Sequence, residues 1–326
     1  MFIDAKKFFN IEKSFNKAGY YKTEEYDKLY ENLKSQICSG GIFTLTGMVG
    51  SGKTTLLHHM QQELELENKI KISRSLSTER KKLNIGTLYL ALFYDLNKGN
   101  KDFKIPTQGE KRERKLIELI NKHKKSVALF IDEAHDIHSS TLTSLKRMIE
   151  IIGFSGSSLS IVLAGHPKLK NNLLKSDMEE ISARTKFFDI DNIINNKEHY
   201  IQWLLNQCLK KDIKPEHVIT KEAIKLLADR LVTPLQITHY LQKAIEQACL
   251  VGEKPVTYEI IEQILLPDLN SLKALLARSG YQFSAVCELL GATPKETREF
   301  LEGKSTISRK NEYIKSIQSS GIVLEA

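Results

Sequence analysis

Long apolar runs are missing from this sequence of 326 residues, and none approaches the roughly 18 residues that a membrane-spanning helix needs. The first segment, MFIDAKKFFNIEKSF, alternates charged and aromatic side chains and lacks the uninterrupted apolar core of a signal peptide. Internal repeats and low-complexity tracts are also missing. We therefore expect a cytoplasmic protein that does not use a membrane as a partner.

Cysteine is scarce and scattered along the chain. The four cysteines, Cys38, Cys208, Cys249 and Cys287, form neither a C-x-x-C pair nor another spacing that is typical of a metal site. This pattern favours reduced, buried thiols in a cytosolic protein, because disulfides belong mainly to oxidising compartments.

Acidic residues are few in one part of the chain. The formal net charge is +8, and the stretch from Lys69 to Lys125 contains sixteen Lys or Arg against six Asp or Glu. A basic sector of this kind is typical of a protein with a polyanion partner, although solvated helix faces produce the same composition. The distribution of charge favours nucleic acid as the partner.

The segment from Gly47 to Thr54, GMVGSGKT, fits the phosphate-loop pattern G-x-x-x-x-G-K-[ST] at every fixed position. A β-branched, apolar run at 42–46 precedes it, and apolar residues at helical spacing follow it. Strand, glycine loop and helix together point backbone N–H groups and the positive end of a helix dipole at a phosphate. We expect Lys53 to reach the β- and γ-phosphates of ATP and the Thr54 hydroxyl to hold Mg²⁺. The predicted nucleotide-binding residues are Gly47, Gly50, Ser51, Gly52, Lys53, Thr54 and Thr55.

Two carboxylates follow a second buried strand, which is predicted at 126–131. Ligands bind at the carboxyl edge of a parallel sheet, and Asp132 and Glu133 lie where this strand ends. We expect Asp132 to take Mg²⁺ through water and Glu133 to act as the base that polarises a water for attack on the γ-phosphate. An acidic pair after a strand is common by itself, but together with the phosphate loop it predicts ATP hydrolysis.

Alternation of strand and helix patterns from 41 to about 192 predicts an α/β domain with a parallel five-stranded sheet. The strands are expected at 42–46, 69–73, 126–131, 159–164 and 186–190. Beyond 193, amphipathic segments at 198–209, 221–230 and 235–250 predict a small helical lid. We therefore divide the chain into an N-terminal helical segment, 1–40, a nucleotide-binding domain, 41–192, a helical lid, 193–268, and a C-terminal extension, 269–326.

The C-terminal extension contains a pattern of helix, glycine turn and helix in FSAVCELLGATPKET, residues 283–297. Thr293 is placed to cap the second helix, with Pro294 at its first position, as in a helix-turn-helix segment. That helix carries Lys295 and Arg298 but also three glutamates, so DNA binding and protein docking both stay open for this tail.

The segments GMVGSGKTT, ALFIDEAHDI, IVLAGHPKL and SARTKFF together resemble the AAA+ ATPases of the ExeA, TniB and TnsC type. The resemblance covers roughly residues 20 to 265. It implies that His166, at the end of a strand, is the sensor-1 residue beside the γ-phosphate. It also implies that Arg184, just before the last strand, is the arginine finger that acts on a neighbouring subunit's nucleotide.

Within that group the chain is most similar to TnsC, the ATP-dependent regulator of transposons that include CRISPR-guided ones. This resemblance implies a homo-oligomer, a ring or a helical filament, which assembles on double-stranded DNA with ATP and recruits transposase subunits and a target-selecting protein. It also implies DNA contacts from Arg80, Lys81 and Lys82, which follow the second strand. The next candidates for DNA contacts are Lys111, Arg112, Arg114 and Lys115.

The chain departs from this group at one point. Members often begin a lid helix with Gly-Asn-Pro-Arg, whose arginine is sensor 2, whereas this sequence has Val-Thr-Pro-Leu-Gln at 232–236. We therefore expect slow unassisted hydrolysis.

Other interpretations remain for the same residues. A helicase loader or replication initiator would share the core and the affinity for DNA. A secretion-associated ATPase of the ExeA type would normally add a membrane span and a cell-wall-binding part. His135 and His138 are interpreted as ordinary strand-end histidines, because the sequence offers them no third metal ligand within reach.

Overall fold

A sheet of five parallel strands forms the centre of this computed structural model, which describes residues 2–75, 83–97, 104–191, 193–266, 269 and 271–322. The strands are β1 Gly41–Thr46, β2 Lys71–Arg74, β3 Val127–Ile131, β4 Leu159–Gly165 and β5 Thr185–Asp189. All five predicted strands are confirmed, and their ends lie within two residues of the predicted ones. The predicted α/β fold with a parallel five-stranded sheet is therefore correct.

The strand order β2-β3-β4-β1-β5 decides which loops meet at the carboxyl edge of the sheet. β4 lies between β3 and β1, with Ile131 paired to Leu163 and Thr46 paired to Gly165. The loops that follow β1, β3 and β4 are therefore neighbours. These are the loops that carry the phosphate-loop pattern, the acidic pair and His166.

Both faces of the sheet are covered by helices, and successive side chains of each strand point to opposite faces. Ile42, Leu129 and Ile161 are buried on one face with helices α4, α5 and α6. The other face packs Phe43 and Phe130 against α2 and α3. The helices that surround the sheet are α2 Glu24–Ile37, α3 Lys53–Glu67, α4 Ile85–Leu96, α5 Gly109–His123, α6 Ser139–Phe154, α7 Pro167–Leu173 and α8 Glu179–Ser182.

Four further helices form a helical unit after the sheet, together with α1 Phe2–Phe9. They are α9 Lys197–Cys208, α10 Lys221–Arg230, α11 Pro234–Val251 and α12 Tyr258–Ile264. Three of them match the helices that periodicity predicts. Phe9 and Phe15 of the N-terminal segment are buried in this unit's core, whereas Tyr26 and Tyr30 are buried against the sheet. The predicted domain boundaries stay predictions.

The C-terminal residues form four helices around a core of their own, which includes Leu276, Phe300 and Ile317. The helices are α13 Leu272–Arg278, α14 Phe283–Leu290, α15 Pro294–Leu301 and α16 Ile307–Ser319. Thr293 caps α15 through a capping box with Glu296. Two helices therefore flank the predicted glycine turn, but the assignment of this region as a helix-turn-helix stays a prediction. In the part of the chain that the structure describes, no helix is both long enough and apolar enough to cross a membrane.

Candidate nucleotide-binding site

A cavity of about 530 Å³ opens at the carboxyl edge of the sheet, between the phosphate loop, the N-terminal segment and the helical unit. Its lining includes residues 48–55 with Glu133 and His166. The lining also includes several aromatic rings, among them Tyr20, Tyr21, Tyr26, Tyr200 and Trp203. A cavity lined by both polar groups and aromatic rings suits a ligand with phosphates and a ring.

The phosphate loop leaves β1 at Gly47 and enters α3 at Lys53. Gly52 has a φ of +103°, in the left-handed region that favours glycine. At Gly47 a Cβ would lie 2.5 Å from Cγ2 of Ile190, so only glycine fits at the start of the loop. The first N–H groups of α3 consequently face the cavity and attract an anion.

Lys53 lies under the loop and is only 5% exposed. Its ammonium group donates hydrogen bonds to the carbonyls of Gly47 at 2.7 Å and Met48 at 2.8 Å. Burial lowers its pKa, while nearby carboxylates, above all that of Asp191, act in the opposite direction. The lysine therefore sits at the loop as the cation that the sequence predicts there.

Thr54 and Asp132 come together although they are far apart in the sequence. The Thr54 hydroxyl donates a hydrogen bond of 2.7 Å to Oδ2 of Asp132. The other carboxylate oxygen, Oδ1, accepts a 2.8 Å bond from the N–H of Glu133. A hydroxyl and a carboxylate oxygen at one point are ligands of the kind that Mg²⁺ prefers, so these two residues fit the predicted ion.

Glu133 occupies the left-handed region with a φ of +54°, which is uncommon for a residue that is not glycine. Such backbone strain costs about 1–3 kcal/mol and is found mainly at functional sites. Glu133 and His166 both line the cavity, and His166 Nε2 lies 3.9 Å from Oε2 of Glu133. The structure therefore brings together Glu133, the predicted base, and His166, for which the family resemblance implies γ-phosphate sensing.

His135 is not the isolated strand-end histidine that the sequence suggests. Its Nδ1 lies 3.5 Å from Oε2 of Glu133, and its ring lies 4.0 Å from that of His166. Neighbours in space thus supply two further groups of the kind that can ligate a metal, which the sequence pattern does not show. His138 does not join them, because it is exposed and its ring hydrogen-bonds to Ser140.

Asp191, which sequence reasoning missed, anchors the loop from behind. Its carboxylate accepts bonds of 2.8 and 3.1 Å from the N–H of Met48. Burial raises the pKa of Asp191 to about 6, with a further rise from Asp189 and an opposing effect of the Met48 N–H and Lys53. No local pattern marks this residue, since its role depends on β5 lying next to β1.

The helical unit and the C-terminal helices also contact the phosphate loop. The N–H of Leu235, at the start of α11, donates to the carbonyl of Gly50 at 3.2 Å. The N–H of Val49 donates to the carbonyl of Arg278 at 3.0 Å. Leu235 stands where similar proteins often carry the sensor-2 arginine, so the helical unit meets the loop there through an apolar side chain and a backbone bond.

Arg184 does not line the cavity of its own chain. It lies just before β5, its side chain is 55% exposed, and its guanidinium pairs with Glu150 of α6. The predicted contact of Arg184 with a neighbouring subunit's nucleotide stays a prediction.

The predicted DNA contacts at Arg80, Lys81 and Lys82 lie outside the described residues. The alternative basic residues lie on α5, where Arg114 pairs with Glu110 and Lys115 with Glu118. Arg112 lies over the ring of Tyr89. Lys111 is exposed on the same helix and forms no salt bridge with any residue that the structure describes.

The strand order and the phosphate-loop pattern define an α/β fold of the P-loop type. Residues 38–173 match a family model described as an AAA domain. This stretch contains the loop, the acidic pair and His166.

The chain is similar to a curated secretion protein and, in its fold, to solved structures of ORC proteins. General secretion pathway protein A of Aeromonas hydrophila is 27% identical over 178 residues, which cover 52% of this chain and 30% of that protein. The chain therefore matches less than a third of that relative's length.

Two solved structures share the fold over nearly the whole chain. The Aeropyrum pernix ORC2 protein in ADPNP-ADP complexes is 13% identical, with a TM-score of 0.57 over 96% of this chain and 91% of that one. Drosophila ORC bound to DNA is 14% identical, with a TM-score of 0.52 over 99% of this chain and 79% of that one. At these identities the similarity concerns the fold, and it supports the predicted AAA+ architecture.

Proposed function

We propose that this protein is an ATP-dependent regulator of DNA transposition that assembles on duplex DNA with ATP and brings a transposase to a selected target. The observation that carries the ATPase part is the convergence of Lys53, Thr54 and Glu133 at one cavity, with Asp132 bonded to the Thr54 hydroxyl and to the N–H of Glu133. The transposition part rests on the resemblance of the four sequence segments to TnsC-type proteins.

Each side chain has a definite role in the proposed hydrolysis of ATP. The loop N–H groups and Lys53 hold the phosphates, and Thr54 with Asp132 would hold Mg²⁺, which neutralises phosphate charge when it is bound. Glu133 takes a proton from a water molecule. The oxygen of that water attacks the γ-phosphorus, and the bond between the γ-phosphorus and the bridging β-phosphate oxygen breaks. We assign to His166 the role of sensing the γ-phosphate.

Binding of duplex DNA is supported by the basic sector and by the fold shared with Drosophila ORC, which was solved bound to DNA. We assign the phosphate contacts to Arg80, Lys81 and Lys82. Each neutralised phosphate contributes roughly 0.9 to the slope of log affinity against log salt. Replacing all three residues with Ala should weaken binding to any duplex and lower that slope by about 2–3.

A matched control is the triple change of Lys210, Lys211 and Lys214 to Ala, which removes the same charge from the loop after α9. Fluorescence anisotropy with a random-sequence duplex at several salt concentrations measures both sets. An unchanged salt slope after the triple change of Arg80, Lys81 and Lys82 would mean that the DNA contact lies elsewhere. The next candidates are Lys111, Arg112, Arg114 and Lys115.

A replication initiator or helicase loader is the second candidate, favoured by the near-complete overlap with ORC2. An ExeA-like secretion ATPase has support from the similarity to General secretion pathway protein A. Counting insertions of a donor element by a co-expressed transposase separates the transposition role from the other two. Transposition predicts that targeted insertions fall to background with Lys53→Ala. Insertions that are unchanged would contradict the transposition role.

A further inference from the structure

Three donor atoms converge beside the phosphate loop, from Glu133, His135 and His166, and we propose that they bind a transition-metal dication, with Zn²⁺ the best match. Bound there, the metal occupies the carboxylate of the proposed catalytic base and stops hydrolysis. The inhibition rests on the proposed ATPase function, whereas the binding of metal does not.

The distances among the donors suit one small ion. Oε2 of Glu133 lies 3.5 Å from Nδ1 of His135 and 3.9 Å from Nε2 of His166. All three donor atoms lie within 4.8 Å of one another. Zinc bonds of about 2.0–2.1 Å in tetrahedral geometry separate neighbouring ligands by about 3.4 Å. Small side-chain rotations are therefore enough to close the site.

A fourth residue orients one of these ligands. Nε2 of His135, the nitrogen that faces away from Glu133, lies 3.6 Å from Oδ2 of Asp136. Metal-binding histidines usually direct their second ring nitrogen to a carboxylate, which fixes the tautomer and raises the basicity of the ligand. Asp136 thus supplies an outer support that an ordinary packed histidine does not need.

The ligand set selects the kind of metal. Two imidazoles and one carboxylate make a zinc site of the kind that keeps one position open, whereas Mg²⁺ prefers oxygen ligands. The oxygen pair of Thr54 and Asp132 lies next to this cluster, because the second Asp132 oxygen bonds the N–H of Glu133, and the two neighbouring sites therefore differ in chemistry. His135 and His166 are each only 9% exposed, and Glu133 and His166 line the cavity, which gives an ion a route from solvent.

Metal binding is tested on the full chain without nucleotide or Mg²⁺. Co²⁺ is titrated first, because its visible absorption reports tetrahedral ligation, and Zn²⁺ affinity is then measured by competition with a chromophoric chelator. We expect one ion per chain. His135→Ala should weaken Zn²⁺ binding at least 10-fold, and Asp136→Asn should weaken it by roughly 10–100-fold, as loss of an outer carboxylate does elsewhere.

His138→Ala is the matched control, since it removes an exposed histidine three residues away. This variant should bind Zn²⁺ as the unmodified chain does. Equal affinity in the His135→Ala and unmodified chains, or no tetrahedral Co²⁺ spectrum, would overturn the proposal. Asp136 is exposed, so Asp136→Asn keeps the test valid even if removal of the buried His135 ring disturbs folding.

The effect on catalysis is measured as the ratio of phosphate release with and without micromolar Zn²⁺, within each variant and at saturating Mg²⁺-ATP. Zinc should inhibit the unmodified chain and His138→Ala, and a zinc-selective chelator should restore both. His135→Ala should lose this sensitivity. Zn²⁺ binding as expected, together with no ATP hydrolysis, would support the metal site and refute the ATPase proposal. ATP hydrolysis without any Zn²⁺ binding would support the ATPase proposal and refute the metal site.

Discussion

At the scale of single residues, the proposed ATP hydrolysis depends on a few side chains that the fold brings to one edge of the sheet. Glu133 is the central one, because its left-handed backbone points its carboxylate to the cavity beside two histidines. Thr54 and Asp132 are hydrogen-bonded to each other, and Asp132 also bonds the N–H of Glu133. We therefore expect separate work from the two acids of the pair, ion binding by Asp132 and proton transfer to Glu133.

Glu133→Gln should retain ATP binding and lose at least 100-fold in turnover, because the amide keeps the shape of the side chain but cannot accept the proton from water. Assemblies formed with ATP should persist longer than those of the unmodified chain. A fluorescent ATP analogue measures binding, and phosphate release measures turnover. The control is Glu179→Gln, an exposed change on α8. Phosphate release at the unmodified rate would refute the assignment of the base.

Asp191 gives a prediction about pH. Its pKa is about 6 in the folded chain against an ordinary value of 3.8, so the folded state binds this proton more tightly than the unfolded state. The stabilisation is present at low pH and is lost as pH rises through about 6. The free energy of unfolding of the unmodified chain, relative to Asp191→Asn, should therefore be about 1–1.5 kcal/mol greater at pH 5 than at pH 7.5. Urea denaturation at both values measures the difference, and an equal or reversed difference would contradict the account.

At the scale of helices and strands, three contacts hold the phosphate loop in addition to β1 and α3, which flank it. Asp191 after β5 anchors Met48, the start of α11 contacts Gly50, and Arg278 at the end of α13 contacts Val49. We therefore expect a change in the loop on ATP binding to be transmitted to the helical unit and to the C-terminal helices.

The turn after α13 provides a direct test of this link. Gly280 has a φ of +89°, and a Cβ there would lie 2.7 Å from Cβ of His166. Gly280→Ala should push the turn away from the loop, weaken the bond between Val49 and Arg278, and speed hydrogen exchange of the Val49 amide. Gly303→Ala is the control, because Gly303 has a φ of +74° but open space around it. Equal protection of Val49 in both variants would show that the turn does not hold the loop.

Arg184 belongs to the same scale, since it lies where β5 begins. Its exposed pair with Glu150 is worth about 0–1 kcal/mol, so Arg184→Ala should fold normally and bind ATP as a single subunit. It should lose hydrolysis and assembly, and Lys53→Ala subunits, which keep the arginine, should restore activity in mixtures. Lys186→Ala, an exposed change nearby, should behave as the unmodified chain. Mixtures that stay inactive would refute a role across the subunit interface.

Much of the fold could be predicted from sequence, for physical reasons that differ from element to element. The buried strands are continuous apolar runs, and the phosphate loop requires glycines at fixed positions, so both leave local patterns. Asp191, the Arg278 carbonyl and the cluster around His135 leave none, because their contacts depend on strand order and on how α13 packs. Arg80, Lys81 and Lys82 lie outside the described residues, so their predicted contact with DNA stays a prediction.

At the scale of the whole molecule, the cavity lies where the sheet, the N-terminal segment and the helical unit meet. An ATP molecule bound there contacts all three parts. The exposed Arg184 would add a contact from the next subunit. Nucleotide binding is therefore expected to favour assembly, and the basic sector favours duplex DNA as the surface on which subunits assemble.

Electron microscopy of the protein with duplex DNA and a non-hydrolysable ATP analogue shows whether subunits assemble on DNA when ATP is bound. We predict rings or helical filaments on the DNA when both are present, and dispersed particles when the analogue is left out or when Lys53→Ala replaces the unmodified chain. Identical assemblies with and without the analogue, or no assembly under any of these conditions, would contradict this prediction.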